Sequence, residues 1–183
     1  MLKPILSSLG ALALFAATAV EAKELAFTAA LSGDKAPTVT GSKATGSARI
    51  VVDTETQTVD LTLDVVGLKI DDLWTKLVKG PMGPIHLHLY GSHDHADPNA
   101  TVTLVFPTPY GPSYSATASG FRVVIRRFPY GQGALILKSE TRFEEFVSSL
   151  QSGAVVLNIH TNADIAANFW SALLFLVCSC CGG

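Results

Sequence analysis

Cysteine is absent from the body of this chain, because Cys178, Cys180 and Cys181, its three cysteines, all lie within the last six of its 183 residues. Disulfide bonds between distant segments are therefore excluded from the body of the fold. The odd number leaves at least one thiol free or paired with another chain. The core must be held together by packing.

An excess of positive charge is also missing. The chain has 13 Lys and Arg residues against 15 Asp and Glu residues, a formal net charge of −2. Nucleic-acid-binding domains normally carry a basic stripe. The nearest feature is Arg122, Arg126 and Arg127, and three such charges on a predicted strand are expected to form a solvated face. We therefore expect no nucleic-acid partner.

Motifs of hydrolases and nucleotide enzymes are missing as well. Ser92 precedes His93 in a loop, without the strand-turn-helix context and the acidic residue that a nucleophilic serine requires. The segment "GPMGP" (80–84) contains glycines, but its prolines remove backbone amides that would bind a phosphate. The sequence therefore predicts no catalytic nucleophile and no phosphate-binding loop.

A long apolar run is present at the N terminus. Lys3 precedes the apolar residues 5–20, and Val20-Glu21-Ala22 offers small residues at a cleavage position. This pattern is typical of a secretory signal peptide over residues 1–22. A membrane anchor is the alternative, but the run is shorter than the roughly 20 apolar residues of a span. We therefore expect a secreted, periplasmic or extracellular protein.

The chain after the signal peptide is long enough for one domain, at about 160 residues. We place this domain over residues 23–169 and an apolar tail with cysteines over 170–183. The apolar part of the tail, 169–177, is too short to span a bilayer. It is interpreted as a last strand followed by a frayed end, with lipid attachment or an intermolecular disulfide as alternatives.

Alternating apolar and polar residues predict mostly β-structure. The runs 48–52 and 59–65 are joined by a polar turn and predict a hairpin with one buried face. Further β-rich runs, separated by Gly, Pro, Asn, Asp and Ser, lie at 26–31, 85–90, 101–106, 121–126, 134–137 and 154–160. Many short strands in one exported domain indicate an all-β fold, an antiparallel β-sandwich.

One short helix is predicted near residue 145. Thr141 and Glu144 fit a capping box, and Phe143, Phe146, Val147 and Leu150 then recur at helical spacing. Gly153 is expected to end the helix.

Four of the five histidines, His86, His88, His93 and His95, lie in the segment "GPIHLHLYGSHDHADPN". Because side chains alternate across a strand, His86 and His88 share the face opposite Ile85 and Leu87. His160 lies opposite the apolar face of its own strand in the same way. If the apolar faces form the core, these three imidazoles are expected on polar surfaces, where they converge only if the two strands are neighbours.

Histidines in this pattern predict a candidate metal site. The backbones of residues two positions apart on a strand are about 6.6 Å apart, which is close enough for their two imidazoles to share an ion. Histidine and carboxylate ligands suit copper and zinc, so the expected cofactor is one of these ions. The alternative is a set of surface histidines hydrogen-bonded to their neighbours. The candidate ligands are His86, His88, His160, His93, His95 and Asp94.

Four ordered segments resemble the CHRD (chordin) domain family: "FTAALSGDKAPTVT" (27–40), "ATGSARIVVDTETQTVDLTLDVVGL" (44–68), "GPIHLHLYG" (83–91) and "LQSGAVVLNIHTN" (150–162). The resemblance implies a Greek-key sandwich similar to that of copper/zinc superoxide dismutases, in which a His-x-His strand supplies copper ligands. The chain departs from the family pattern at "ADIAANF" (163–169), where Ala166 replaces an arginine. It also departs in its cysteine-containing tail.

Three functions remain open from the sequence. The first is a non-enzymatic exported module that binds an unknown extracellular ligand or protein, with a surface histidine cluster for a transition metal. The second is a copper-dependent, superoxide-dismutase-like redox enzyme, for which Ala166 removes a cation that would attract superoxide. The third is a structural or adhesive surface domain. We favour the first because it requires only a stable sandwich and a polar patch.

Overall fold

The computed structural model describes residues 24–33, 41–92, 100–163 and 173–177. These residues form nine β-strands: β1 (Glu24–Ser32), β2 (Thr45–Asp53), β3 (Thr58–Val66), β4 (Ile85–Tyr90), β5 (Val102–Pro107), β6 (Tyr114–Ala116), β7 (Gly120–Pro129), β8 (Val155–Ile159) and β9 (Leu173–Val177). All paired strands are antiparallel. They form a six-stranded sheet, β6-β7-β3-β2-β1-β9, and a three-stranded sheet, β5-β4-β8.

The hairpin of β2 and β3 follows directly from the sequence pattern. The two strands pair along their whole length, and every second residue of β3 is buried. The Asp53 carboxylate accepts hydrogen bonds from the backbone amides of Glu55 and Thr56, each at 2.9 Å. This local bonding compensates the turn backbone for the loss of strand partners. The predicted hairpin is confirmed.

The core lies between the two sheets. Phe27, Ile50 and Phe121 of the large sheet are buried in one cluster with Leu87 and Phe106 of the small sheet. Two helices, α2 (Tyr130–Leu137) and α3 (Phe143–Ser152), add aromatic rings to the same cluster. The Phe146 ring stacks on Phe106 with centroids 6.2 Å apart. The predicted all-β sandwich is confirmed.

The predicted strand at 134–137 is wrong, because these residues form the second half of α2. A short apolar run does not distinguish a strand from a helix by periodicity alone. In the structure Leu135 of this run is 81% exposed, whereas Gly133 packs closely against Pro107. Close approach of the helix to β5 therefore decides the conformation of this segment.

The capping box of α3 is also wrong, although the helix itself is confirmed. Its N-cap residue is Arg142, with no capping hydrogen bond from a side chain, and the Thr141 carbonyl accepts a bond from the buried Tyr130 hydroxyl. Glu144 lies in the first turn, where the helix dipole favours a carboxylate without a capping bond. Gly153 ends the helix with a φ of 76°, as predicted.

Short elements between β3 and β4 had no signal in the sequence analysis: a 3-10 helix (Ile70–Asp72) and α1 (Thr75–Val78). The strand β6 was missed as well. The strand β9 pairs with β1 and confirms a last strand within the apolar tail. The predicted signal peptide (1–22) and the three cysteines lie outside the described residues. Within the described part of the chain, helices are too short or too polar to span a membrane.

Candidate metal centre

The strands that carry the histidines are direct neighbours. Strand β4 is the central strand of the small sheet and pairs with β8, with His86 opposite Asn158 and Leu87 opposite Leu157. His160 follows β8 immediately and is fixed by its backbone. Its amide donates to the Pro84 carbonyl at 2.8 Å, and its carbonyl accepts from the Trp74 amide at 2.9 Å. The adjacency that the candidate site required is therefore present.

The three imidazoles form one compact group. Nε2 of His86 lies 3.0 Å from Nε2 of His160, and these two rings stack with centroids 4.5 Å apart. The His88 ring stacks on His86 at 4.8 Å and lies 6.1 Å from His160. One nitrogen from each ring can be chosen so that all three lie within 4.8 Å of one another. The structure thus brings together three of the six predicted ligands.

The histidines are buried, which corrects the prediction of a surface cluster. His86, His88 and His160 expose only 2%, 3% and 2% of their surface. Alternation correctly places His86 and His88 opposite the core-facing Leu87, but the second face of the small sheet is covered too. Every residue of β8 is buried, including Asn158 on the histidine side. A strand buried on both faces does not reveal itself by alternation.

The backbone selects the tautomer of His86. Its Nδ1 lies 3.3 Å from the Gly83 carbonyl oxygen, which can only accept a hydrogen bond. Nδ1 therefore carries the proton, and the lone pair on Nε2 faces His160. Without a metal ion, Nε2–H of His160 donates to that lone pair. A metal ion that displaces this proton would find two imidazole nitrogens at bonding positions.

Burial keeps all three imidazoles neutral. Desolvation lowers the pKa of His86 to about 3, with a further contribution from His160 that outweighs the hydrogen bond to Gly83. Desolvation also lowers the pKa of His88 to about 2, assisted by repulsion from both other rings, and that of His160 to about 4. A neutral imidazole is the form that coordinates a metal. The group is thus ready for ligation at neutral pH.

Comparison with known protein families places this site in context. The CHRD domain matches residues 27–165, which include all three buried histidines. The chain belongs to the CHRD domain family. No curated protein and no solved structure matches it.

Asn158 of this CHRD domain is a site residue that the sequence analysis did not single out. Directly opposed residues of an antiparallel pair lie on the same face about 5 Å apart, so Asn158 is beside His86. Its side chain is hydrogen-bonded to Tyr90, whereas its Oδ1 is buried without a hydrogen-bond partner among the described residues. The alternation that places His160 on this face also places Asn158 there, and was the available signal.

Trp74 of the CHRD domain forms one wall of the histidine group. Its ring centroid lies 6.4 Å from that of His160. Its Nε1 is a second buried polar atom that lacks a hydrogen-bond partner in the described part of the chain. The loop before β4 therefore contributes to the site, although no residue of this loop was predicted to do so.

The remaining predicted ligands, His93, Asp94 and His95, lie outside the described residues. The strand β4 ends at Tyr90. Tyr90 is four residues after His86, so their backbones are about 13 Å apart along the strand. The described chain resumes at Ala100. Ala166 also lies outside the described residues, just beyond the segment that the family matches.

Proposed function

We propose that this CHRD domain is a non-enzymatic, exported binding module in which His86, His88 and His160 bind one transition-metal ion. The observation that carries the proposal is the convergence of three neutral, buried imidazoles whose ligand atoms lie within 4.8 Å of one another.

The spacing of the nitrogens fits a metal ion. Zinc and copper bind imidazole nitrogen at about 2.0–2.1 Å, so two ligands at a tetrahedral angle are about 3.3 Å apart. The His86 and His160 nitrogens are 3.0 Å apart. A displacement of a few tenths of an ångström, together with a rotation that directs both lone pairs at one ion, converts the hydrogen-bonded pair into a ligand pair. His88, the third ligand, requires a somewhat larger ring adjustment. A bound ion would supply Lewis acidity or, for copper, redox chemistry.

The unpartnered Oδ1 of Asn158 supports the same proposal. A buried acceptor without a hydrogen bond is costly by about 1–3 kcal/mol, and such atoms in a native protein require an explanation. A bound ion would satisfy this oxygen. The donor chemistry around the site is therefore nitrogen from three histidines with an amide oxygen nearby.

The test is metal retention by the purified protein. After chelator treatment, the protein is loaded with zinc or copper, desalted and assayed by elemental analysis. We expect about one ion per chain, and a large loss of bound metal in His88→Ala and in His160→Ala. Leu157→Ala is the matched control, because it creates a cavity on the core side of the same strand and leaves the three rings in place.

Failure of the wild-type protein to retain zinc and also copper in either oxidation state would overturn the proposed function. Equal retention by the histidine variants and by Leu157→Ala would overturn the assignment of the ligands. A variant with His93→Ala and His95→Ala measures whether the loop after β4 adds ligands to the three-histidine site.

Export is part of the same proposal. The N-terminal residues 1–22 have the charge, apolar run and small residues of a signal peptide. We expect the secreted protein to begin near Lys23, which N-terminal sequencing measures. An uncleaved chain in the membrane fraction would contradict it. Non-reducing gels of the secreted protein, compared with a Cys178→Ser, Cys180→Ser, Cys181→Ser variant, test the proposed intermolecular disulfide.

A further inference from the structure

We propose that the three-histidine site of His86, His88 and His160 binds copper(I) in preference to zinc(II) and copper(II). This inference rests on the proposed metal-binding function and specifies the charge of the ion. It follows from three properties of the site: the charge of its donors, the depth of its burial and the lining around it.

The donors are all neutral. Among the described residues, no carboxylate and no thiolate joins the three histidines in the group whose ligand atoms converge. The amide of Asn158, which lies beside His86, would also be a neutral donor. A site of this kind cancels none of the charge of the ion. With these three histidines as the only donors, the bound complex carries the full charge of the free ion, one unit for copper(I) and two units for a divalent ion.

Burial makes this difference in charge important. The free energy needed to move an ion from water into a medium of low polarity rises with the square of its charge. The desolvation penalty of a divalent ion is therefore about four times that of a monovalent ion of the same size. Open zinc sites with three histidines keep a water or hydroxide in a fourth position. Here the three histidines expose only 2–3% of their surface, which restricts the entry of such a ligand.

Apart from the Asn158 amide and the Trp74 Nε1, the lining of the site is apolar. Val156, which lies opposite His88 across the strand pair, is fully buried, and the Trp74 ring lies beside His160. Copper(I) accepts a low coordination number and has no strict geometric requirement, so three imidazoles in an apolar pocket satisfy it. Imidazole is a suitable ligand for copper and zinc alike, so the selection must come from charge and access rather than from the type of ligand.

The test is a set of competition titrations on the full mature protein. Copper(I) is titrated without oxygen, in the presence of ascorbate, against a chromophoric copper(I) chelator. Zinc(II) and copper(II) are each titrated against chelators of known affinity. We expect the dissociation constant for copper(I) to be at least tenfold lower than the other two. Each tenfold preference over copper(II) raises the one-electron reduction potential of the bound copper by about 59 mV relative to the aqueous ion.

Two results have different meanings. Binding of zinc(II) or copper(II) as tightly as copper(I) would overturn this inference and leave the proposed metal-binding function intact. Failure of all three ions to bind would overturn the proposed function itself.

A pair of variants isolates the role of charge. His88→Asp and His88→Asn place side chains of nearly equal size at one ligand position, and they differ by one negative charge. We expect the ratio of zinc(II) to copper(I) affinity to be higher in the aspartate variant than in the asparagine variant. An equal ratio would show that charge does not select the ion. If either variant fails to fold by circular dichroism, the wild-type titrations decide the matter.

Discussion

Acid should destabilise the metal-free protein strongly between pH 8 and pH 5.5. His86, His88 and His160 have folded-state pKa values of about 3, 2 and 4, all below the unfolded value of 6.5. In this pH range the folded state binds no proton at these rings, whereas the unfolded state binds up to three. Stability from the neutral histidines is therefore complete above pH 6.5 and decreases as the pH falls towards the folded pKa values.

The size of this loss follows from the unfolded state alone. At pH 5.5 an unfolded histidine is about nine-tenths protonated, which lowers the free energy of the unfolded chain by about 1.4 kcal/mol. Three histidines together give about 4 kcal/mol, a large part of the 5–15 kcal/mol that is typical of a domain. Desolvation is the largest cause of the lowered pKa at each ring, other histidines of the cluster lower the pKa of His86 and His88 further, and no carboxylate of the described residues belongs to the cluster.

Urea unfolding at pH 8 and pH 5.5, in the presence of a chelator and followed by circular dichroism, measures the effect. With a slope of about 2 kcal/mol per M urea, the midpoint should fall by about 2 M. His88→Leu should reduce the difference between the two pH values by about one third, since it removes one of three titrating rings. A change in unfolding free energy below about 1 kcal/mol in the wild-type protein would refute the buried, neutral state of the cluster.

The other predictions concern the packing that supports the site. Gly83→Ala should lower the free energy of unfolding by at least about 2 kcal/mol, because Gly83 has a φ of 79° and an added Cβ would overlap the Thr108 carbonyl. It should also reduce metal retention, because the Gly83 carbonyl is hydrogen-bonded to the His86 ring. Normal stability and metal content would contradict this. Phe146→Ala should cost about 3–5 kcal/mol in urea unfolding without changing metal stoichiometry, since its fully buried ring lies in the core. Gly153→Ala should cost about 1–2 kcal/mol because of its positive φ of 76°; an unchanged unfolding midpoint would show that the end of α3 relaxes.

The local pattern of apolar and polar residues was sufficient to predict those strands and helices that have one buried face and one more exposed face. The strand β3 alternates between buried and half-buried residues, so its hydrophobic period of two predicted both the strand and its core face. The helix α3 was predicted for the same reason, since Phe146 and Leu150 lie on one buried face at helical spacing. The predicted capping box was wrong, because the N-cap residue of α3 is Arg142 and not Thr141.

The candidate site was only partly predictable. The sequence indicated that His86, His88 and His160 share the faces opposite the apolar ones, and this is correct. It did not indicate that those faces are buried, because alternation distinguishes two faces of a strand without specifying what covers either of them. Trp74 and Asn158 were missed, since neither has a metal-binding side chain of the usual type.

The sequence by itself determined the sandwich, its hairpin and the identity of the imidazoles, because these depend on residues close together in the chain and on the period of their side chains. Only the tertiary structure decided that β4 and β8 are neighbours, with His86 and His160 separated by 74 positions in sequence and by 3.0 Å between their ring nitrogens. Strand pairing over such a separation is decided by the packing of the whole core, which no local pattern contains.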